Sequence, residues 1–116
     1  MQLSISTTEE GRTLTLTGHG ELDFATLDTL TSELDKASRE GIDDVIVDLS
    51  KVTYIDSSGL GVLVGAHRRL KSEGRSLVLR IADAEMIKLL AITGLDQLFA
   101  IETPYEAPEG TAAEDD

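Results

Sequence analysis

The sequence predicts a single α/β domain on a mixed β-sheet, an N-terminal hairpin followed by alternating strands and helices. Three observations predict it. Residues 2–17 alternate apolar and polar positions around a short turn. Two later β-branched or leucine-rich runs are separated by stretches of helical periodicity. Strands joined through helices need crossovers, and crossovers make neighbouring strands parallel.

In the hairpin, Leu3 and Ile5, then Leu14 and Leu16 among threonines, flank the turn Glu9-Glu10-Gly11. After Gly18-His19-Gly20 and Glu21-Leu22-Asp23, the residues Leu27, Leu30, Leu34 and Ala37 recur at helical spacing. Asp23 is placed to cap that helix and Gly41 to end it. Val45-Ile46-Val47-Asp48-Leu49 reads as a central strand covered on both faces, with its acidic end at a loop. Asp56-Ser57-Ser58-Gly59 then opens a second helix carrying Leu60, Leu63, Val64 and Leu70, closed by Gly74. Leu77–Ile81 is a further strand, and Asp83 caps a short helix with Ile87, Leu90 and Ala91 inward. Gly94-Leu95 has the pattern of a left-handed C-cap, and Leu98–Ile101 is a final short strand.

The 116 residues suit one core, with 41% hydrophobic and 28% charged residues. The domain is expected over residues 1–103. Residues 104–116 are expected to form a frayed acidic tail, since from Tyr105 they lack apolar periodicity.

Charge and composition exclude several functions. Lys plus Arg number 10 against 22 Asp plus Glu, and a net charge of −12 repels nucleic acid and anionic membranes. Aromatics are 3% (Phe24, Tyr54, Phe99 and Tyr105), too few for base-stacking platforms. No window reaches the roughly eighteen apolar residues of a membrane span. Cysteine is absent, which removes disulfides, thiolate nucleophiles and cysteine zinc sites and fits a cytoplasmic protein. His19 and His67 show no metal-ligand spacing, so no metal is expected.

Gly59-Leu60-Gly61-Val62-Leu63-Val64-Gly65 follows a strand and enters a helix, but its glycine spacing fits neither a dinucleotide motif nor a P-loop. Gly61 and Gly65 are expected instead where the helix comes close to the sheet or to a partner. Asp43, Asp44, Asp48 and Asp56 do not make a phospho-receiver, because the first strand lacks the required acidic pair. The turn Asp56-Ser57-Ser58-Gly59 remains. A serine there is ordinarily a helix cap. The same turn also suits a phosphorylation switch, because the first-turn N–H groups carry partial positive charge that can hold a phosphate, while Asp56 and Asp23 oppose it.

The segment VIVDLSKVTYIDSSGLGVLVGAHRRLKSEGRSLVL, with GELDFATLDTL upstream and ITGLDQLFAI downstream, resembles the STAS domain of bacterial anti-sigma factor antagonists over roughly residues 3–102. The turn D-S-S-G-L-G is its most specific part. The resemblance implies a binding module that is not an enzyme and needs no cofactor. It further implies that an anti-sigma factor with ATP-dependent serine kinase activity phosphorylates the domain on Ser57, that a serine phosphatase resets it, and that the unphosphorylated form binds the anti-sigma factor and releases a sigma factor. Asp23, Asp56, Ser57, Ser58, Gly59, Leu60 and Gly61 form the implied partner-binding turn, with Ser58 as helix cap. The alternative is a non-switching STAS adaptor of a stress-sensing or lipid-transport complex, in which Ser57 only caps.

Overall fold

The computed structural model describes residues 2–103, so the tail expected over 104–116 lies outside the described residues. Five strands form one sheet in the order β1-β2-β3-β4-β5: β1 (Leu3–Glu10), β2 (Thr13–Leu22), β3 (Asp44–Ile55), β4 (Ser76–Arg80) and β5 (Ala100–Glu102). β1 and β2 are antiparallel, and every later pair is parallel. The helices α1 (Leu27–Ala37), α2 (Ser57–Ser72) and α3 (Ala84–Thr93) are the three crossovers. Each crossover steps one strand further in the same direction, and right-handed connections then place all three helices on one face.

Burial follows that geometry. The register aligns Leu14, Val45 and Leu77 in one row and Leu16, Val47 and Leu79 in the next, and all six are buried. Leu30, Leu34 and Ala37 of α1 and Leu60, Leu63, Ala66 and Leu70 of α2 close over them. The opposite face is polar at most positions, with the rows Thr15-Ile46-Val78-Ala100 and Thr17-Asp48-Arg80-Glu102. Ile46 and Val78 there are only half-buried, so β3 is covered on one face and not on both. The β-branched run reflects strand propensity as much as burial. Arg80 answers the acidic neighbours, donating to Glu102 at 2.6 Å and lying 3.7 Å from Asp48.

β3 also continues past Asp48 to Ile55, where the sequence suggested a loop. Two irregularities in its register with β2, between Thr17 and His19 and between Gly20 and Glu21, let its inward residues step from Leu49 to Val52 to Ile55. Such bulges break strict alternation and re-aim the strand end. β2 correspondingly runs on to Leu22. It can do so because Gly20 adopts φ +116°, and Glu21 N–H donates to Gln2 C=O at 2.9 Å.

Helix ends depart from expectation in two places. Asp23 caps a short 3-10 turn, Phe24–Thr26, which leads into α1. α1 stops at Ala37 and not at Gly41, because the Arg75 guanidinium takes the carbonyls of Ala37 and Ile42, both at 2.7 Å, and draws the chain away from the helix axis. Asp83 caps α3, and Gly94 ends it at φ +79°. The next residues, Leu95–Gln97, form a 3-10 turn, which delays the last strand to Ala100–Glu102.

Candidate functional site

The end of β2, the end of β3 and the start of α2 meet at one place. Asp56 N–H donates to Leu22 C=O at 3.1 Å, which ties the two strand ends together. The Asp56 carboxylate then serves two segments. Its Oδ1 accepts the Gly59 N–H at 3.0 Å and the Ser58 hydroxyl at 2.6 Å, and its Oδ2 accepts the Phe24 N–H at 3.1 Å. The helix cap is therefore Asp56, and Ser58 is a donor to that cap, contrary to the capping role expected for Ser58. These donors, the Ser58 hydroxyl first and the Gly59 N–H next, hold the Asp56 carboxyl below its ordinary pKa.

Asp23 is 8% exposed. It accepts the Thr26 N–H at 3.1 Å while its own N–H donates to the Thr26 hydroxyl at 3.0 Å, a reciprocal capping box. Thr26 also donates to Glu21 C=O at 2.9 Å, so the turn carrying Asp23 is fixed to β2.

Together these turns bound an open cleft of about 480 Å³ lined by Glu21, Asp23, Phe24, Ala25, Thr53, Tyr54 and Asp56. Its charged residues are all acidic. Phe24 is 79% exposed and Tyr54 50%, among the few large apolar side chains left in water. Their place in the site was missed in the sequence, although Phe24 directly follows Asp23 and Tyr54 alternates with the inward Ile55.

Ser57 is the first residue of α2, exposed beside the cleft, and its hydroxyl has no hydrogen-bond partner among the described residues. Gly59 and Leu60 are buried beneath the turn and so present no side-chain surface. Gly59 is the close approach: a Cβ there would lie 2.7 Å from Leu22 Cγ and 3.1 Å from Leu22 O. Gly61 and Gly65, expected against the sheet or a partner, have nothing within 4 Å of where a Cβ would stand. Gly61 is exposed one helical turn from Ser57.

Among the described residues, no three His, Cys, Asp or Glu side chains gather as metal ligands. His19 is exposed on β2, and the His67 ring packs edge-on against Phe99 at 5.6 Å. No helix among the described residues is long and apolar enough to cross a membrane.

The STAS domain family model matches residues 4–107. The chain belongs to the STAS-domain family. As a STAS domain it is 32% identical over 98% of its length to the anti-sigma-B factor antagonist of Staphylococcus aureus, all of which is covered. The anti-sigma-B factor antagonist of Bacillus subtilis is 36% identical over 75% of this chain and 79% of its own. Two solved structures share this STAS fold. An anti-sigma factor antagonist from Mycobacterium paratuberculosis superposes with a TM-score of 0.79 at 19% identity, covering 87% of this chain and 86% of that one. The Bacillus cell fate determinant SpoIIAA in its phosphorylated form gives 0.68 at 22% identity, covering 90% and 96%.

Proposed function

We propose that this STAS domain is an anti-sigma factor antagonist. Its unphosphorylated form binds an anti-sigma factor that is also a serine kinase and thereby frees a sigma factor, and phosphorylation of Ser57 ends the binding. In support, the curated relatives that span most of the chain are named anti-sigma-B factor antagonists.

The observation that carries the switch is the division of labour between adjacent hydroxyls. Ser58 is held by Asp56 at 2.6 Å, whereas Ser57 is exposed and unbonded, so a kinase can reach it without opening the helix cap. The γ-phosphoryl group of ATP is transferred to Ser57 Oγ: the bond to ADP breaks, the Oγ–P bond forms and the hydroxyl proton leaves. The kinase supplies the catalytic groups. The product carries about −1.5 to −2 charges. Gly59 N–H is already committed to Asp56, so the phosphate stands beside a carboxylate and next to the acidic cleft. A partner surface fitted to a neutral hydroxyl must then desolvate an anion it cannot pair, which is costly. A serine phosphatase in the cytoplasm restores the binding form by hydrolysis: water supplies the oxygen, the Oγ–P bond breaks, the Ser57 hydroxyl is regenerated and inorganic phosphate leaves.

Mass measurement after incubation with the cognate kinase and ATP is expected to find one phosphate, on Ser57, and none on Ser57→Ala. Calorimetry is expected to give tight anti-sigma binding for Ser57→Ala and weak binding for Ser57→Asp. Equal affinity of the Ala, Asp and phosphorylated forms, all folded, would leave a non-switching adaptor.

A further inference from the structure

We propose that the free edge of β1 is a self-association surface on which two copies pair β1 against β1 antiparallel, centred on Ser6, joining two five-stranded sheets into one. Among the described residues, β1 is hydrogen-bonded only to β2. The parity of that pairing is fixed at both ends. Glu10 pairs with Thr13 around the two-residue turn Gly11-Arg12, and Gln2 C=O accepts the Glu21 N–H. Even-numbered residues of β1 therefore exchange hydrogen bonds with β2. The N–H and C=O of Leu3, Ile5, Thr7 and Glu9 point away from the sheet, and among the described residues none of them is taken up by another element.

Soluble proteins usually blunt such an edge with a lysine, a proline, a bulge or a short strand. β1 has none of these: it is eight residues long, LSISTTEE, and its pairing with β2 is unbroken. In a chain of net charge −12, residues 2–8 carry no charge at all. Glu9 near the far end is already paired with Arg39. Leu3 and Ile5 remain half-exposed on the helix-covered face at this edge.

The free backbone groups lie on odd residues, which restricts the register of a two-fold pairing. With Ser6 facing Ser6 of the second copy, Ile5 bonds to Thr7 and Leu3 to Glu9 of the second copy, and Glu10 falls opposite Gln2. No two acidic side chains then oppose each other, and Leu3 and Ile5 gain cover. Ser6 itself becomes a non-hydrogen-bonded pair across the axis, where Cα atoms approach to about 4.5 Å. β1 does not line the cleft beside Ser57, so pairing leaves that site open.

The chain has no cysteine, so single cysteines report the register. Under mild oxidation at about 0.15 M salt, which screens the net charge, Ser6→Cys is expected to form a disulfide-linked dimer readily. Ser4→Cys, whose counterpart is Thr8 of the second copy, is expected to lag far behind. In sedimentation the wild type is expected to shift from 12.5 kDa toward twice that mass as concentration rises. Thr7→Pro, which deletes an outward N–H and spares every bond to β2, is expected to stay monomeric. A wild type that remains monomeric at all concentrations, or equal cross-linking of Ser4→Cys and Ser6→Cys, overturns the proposal, and the cysteine comparison stands even if the proline variant fails to fold.

Discussion

The Phe24 N–H donates to Asp56 Oδ2 at 3.1 Å across 32 positions of sequence. That bond fixes the turn after β2 to the cap of α2, so Asp23 and Ser57 are held on one rigid end of the sheet. The same carboxylate caps the helix through Gly59 and holds Ser58. One side chain thus shapes both the acidic cleft and the surface on which Ser57 stands.

Asp56 links this geometry to pH. Its folded pKa lies below the ordinary aspartate value, chiefly through the Ser58 hydroxyl and then the Gly59 N–H. The stability it contributes is complete above the unfolded value and is lost as pH falls through the folded one. Urea midpoints of wild type and Asp56→Asn are therefore expected to differ at neutral pH and to converge in acid. A gap that stays constant down to acid would contradict this role.

The glycines of α2 should respond oppositely to alanine. Gly59→Ala drives a methyl group into Leu22 and Ile55 and is expected to cost about 1–3 kcal/mol. Gly61→Ala and Gly65→Ala have open space and should stabilise by up to about 1 kcal/mol through helix propensity. Chemical denaturation of the three variants checks the sign of each.

The two serines should also separate. Ser57→Ala removes an unbonded surface hydroxyl and is expected to change stability by less than about 0.5 kcal/mol. Ser58→Ala removes a donor to the Asp56 carboxylate and should cost about 1 kcal/mol while leaving Ser57 open to phosphorylation. Thermal melts and a kinase assay on both variants measure this; loss of phosphorylation in a folded Ser58→Ala would show that the kinase reads Ser58 as well.

Far from the site, Arg75 ties the start of β4 to the end of α1. Its guanidinium donates to the carbonyls of Ala37 and Ile42 and pairs with Glu73 at 2.9 Å. Arg75→Ala is expected to lose about 1–3 kcal/mol of stability, since one charged group serves several part-buried acceptors. Arg75→Lys should recover little, because a single ammonium cannot span the fork. Anti-sigma binding by the folded fraction should be unchanged.

Local signals in the sequence determined the hairpin, the alternation of strands and helices, the capping role of Asp83 and the left-handed end of α3 at Gly94, because propensity, periodicity and turn chemistry act over a few residues. The D-S-S-G-L-G turn was likewise readable as the start of α2. Only the tertiary structure decided that β3 runs through two bulges to Ile55, that among the described residues the helices cover one face of the sheet, and that α1 ends where Arg75 reaches it. Those outcomes depend on partners 30 or more residues away, as Arg75 is from Ala37 and Ile42. The same reason explains the glycines: composition cannot tell which of Gly59, Gly61 and Gly65 meets Leu22, since that follows from the angle at which α2 leaves β3. It also explains why Phe24 and Tyr54 became the rim of a cleft, as their exposure is fixed by the fold around Asp56 and not by their own hydrophobicity.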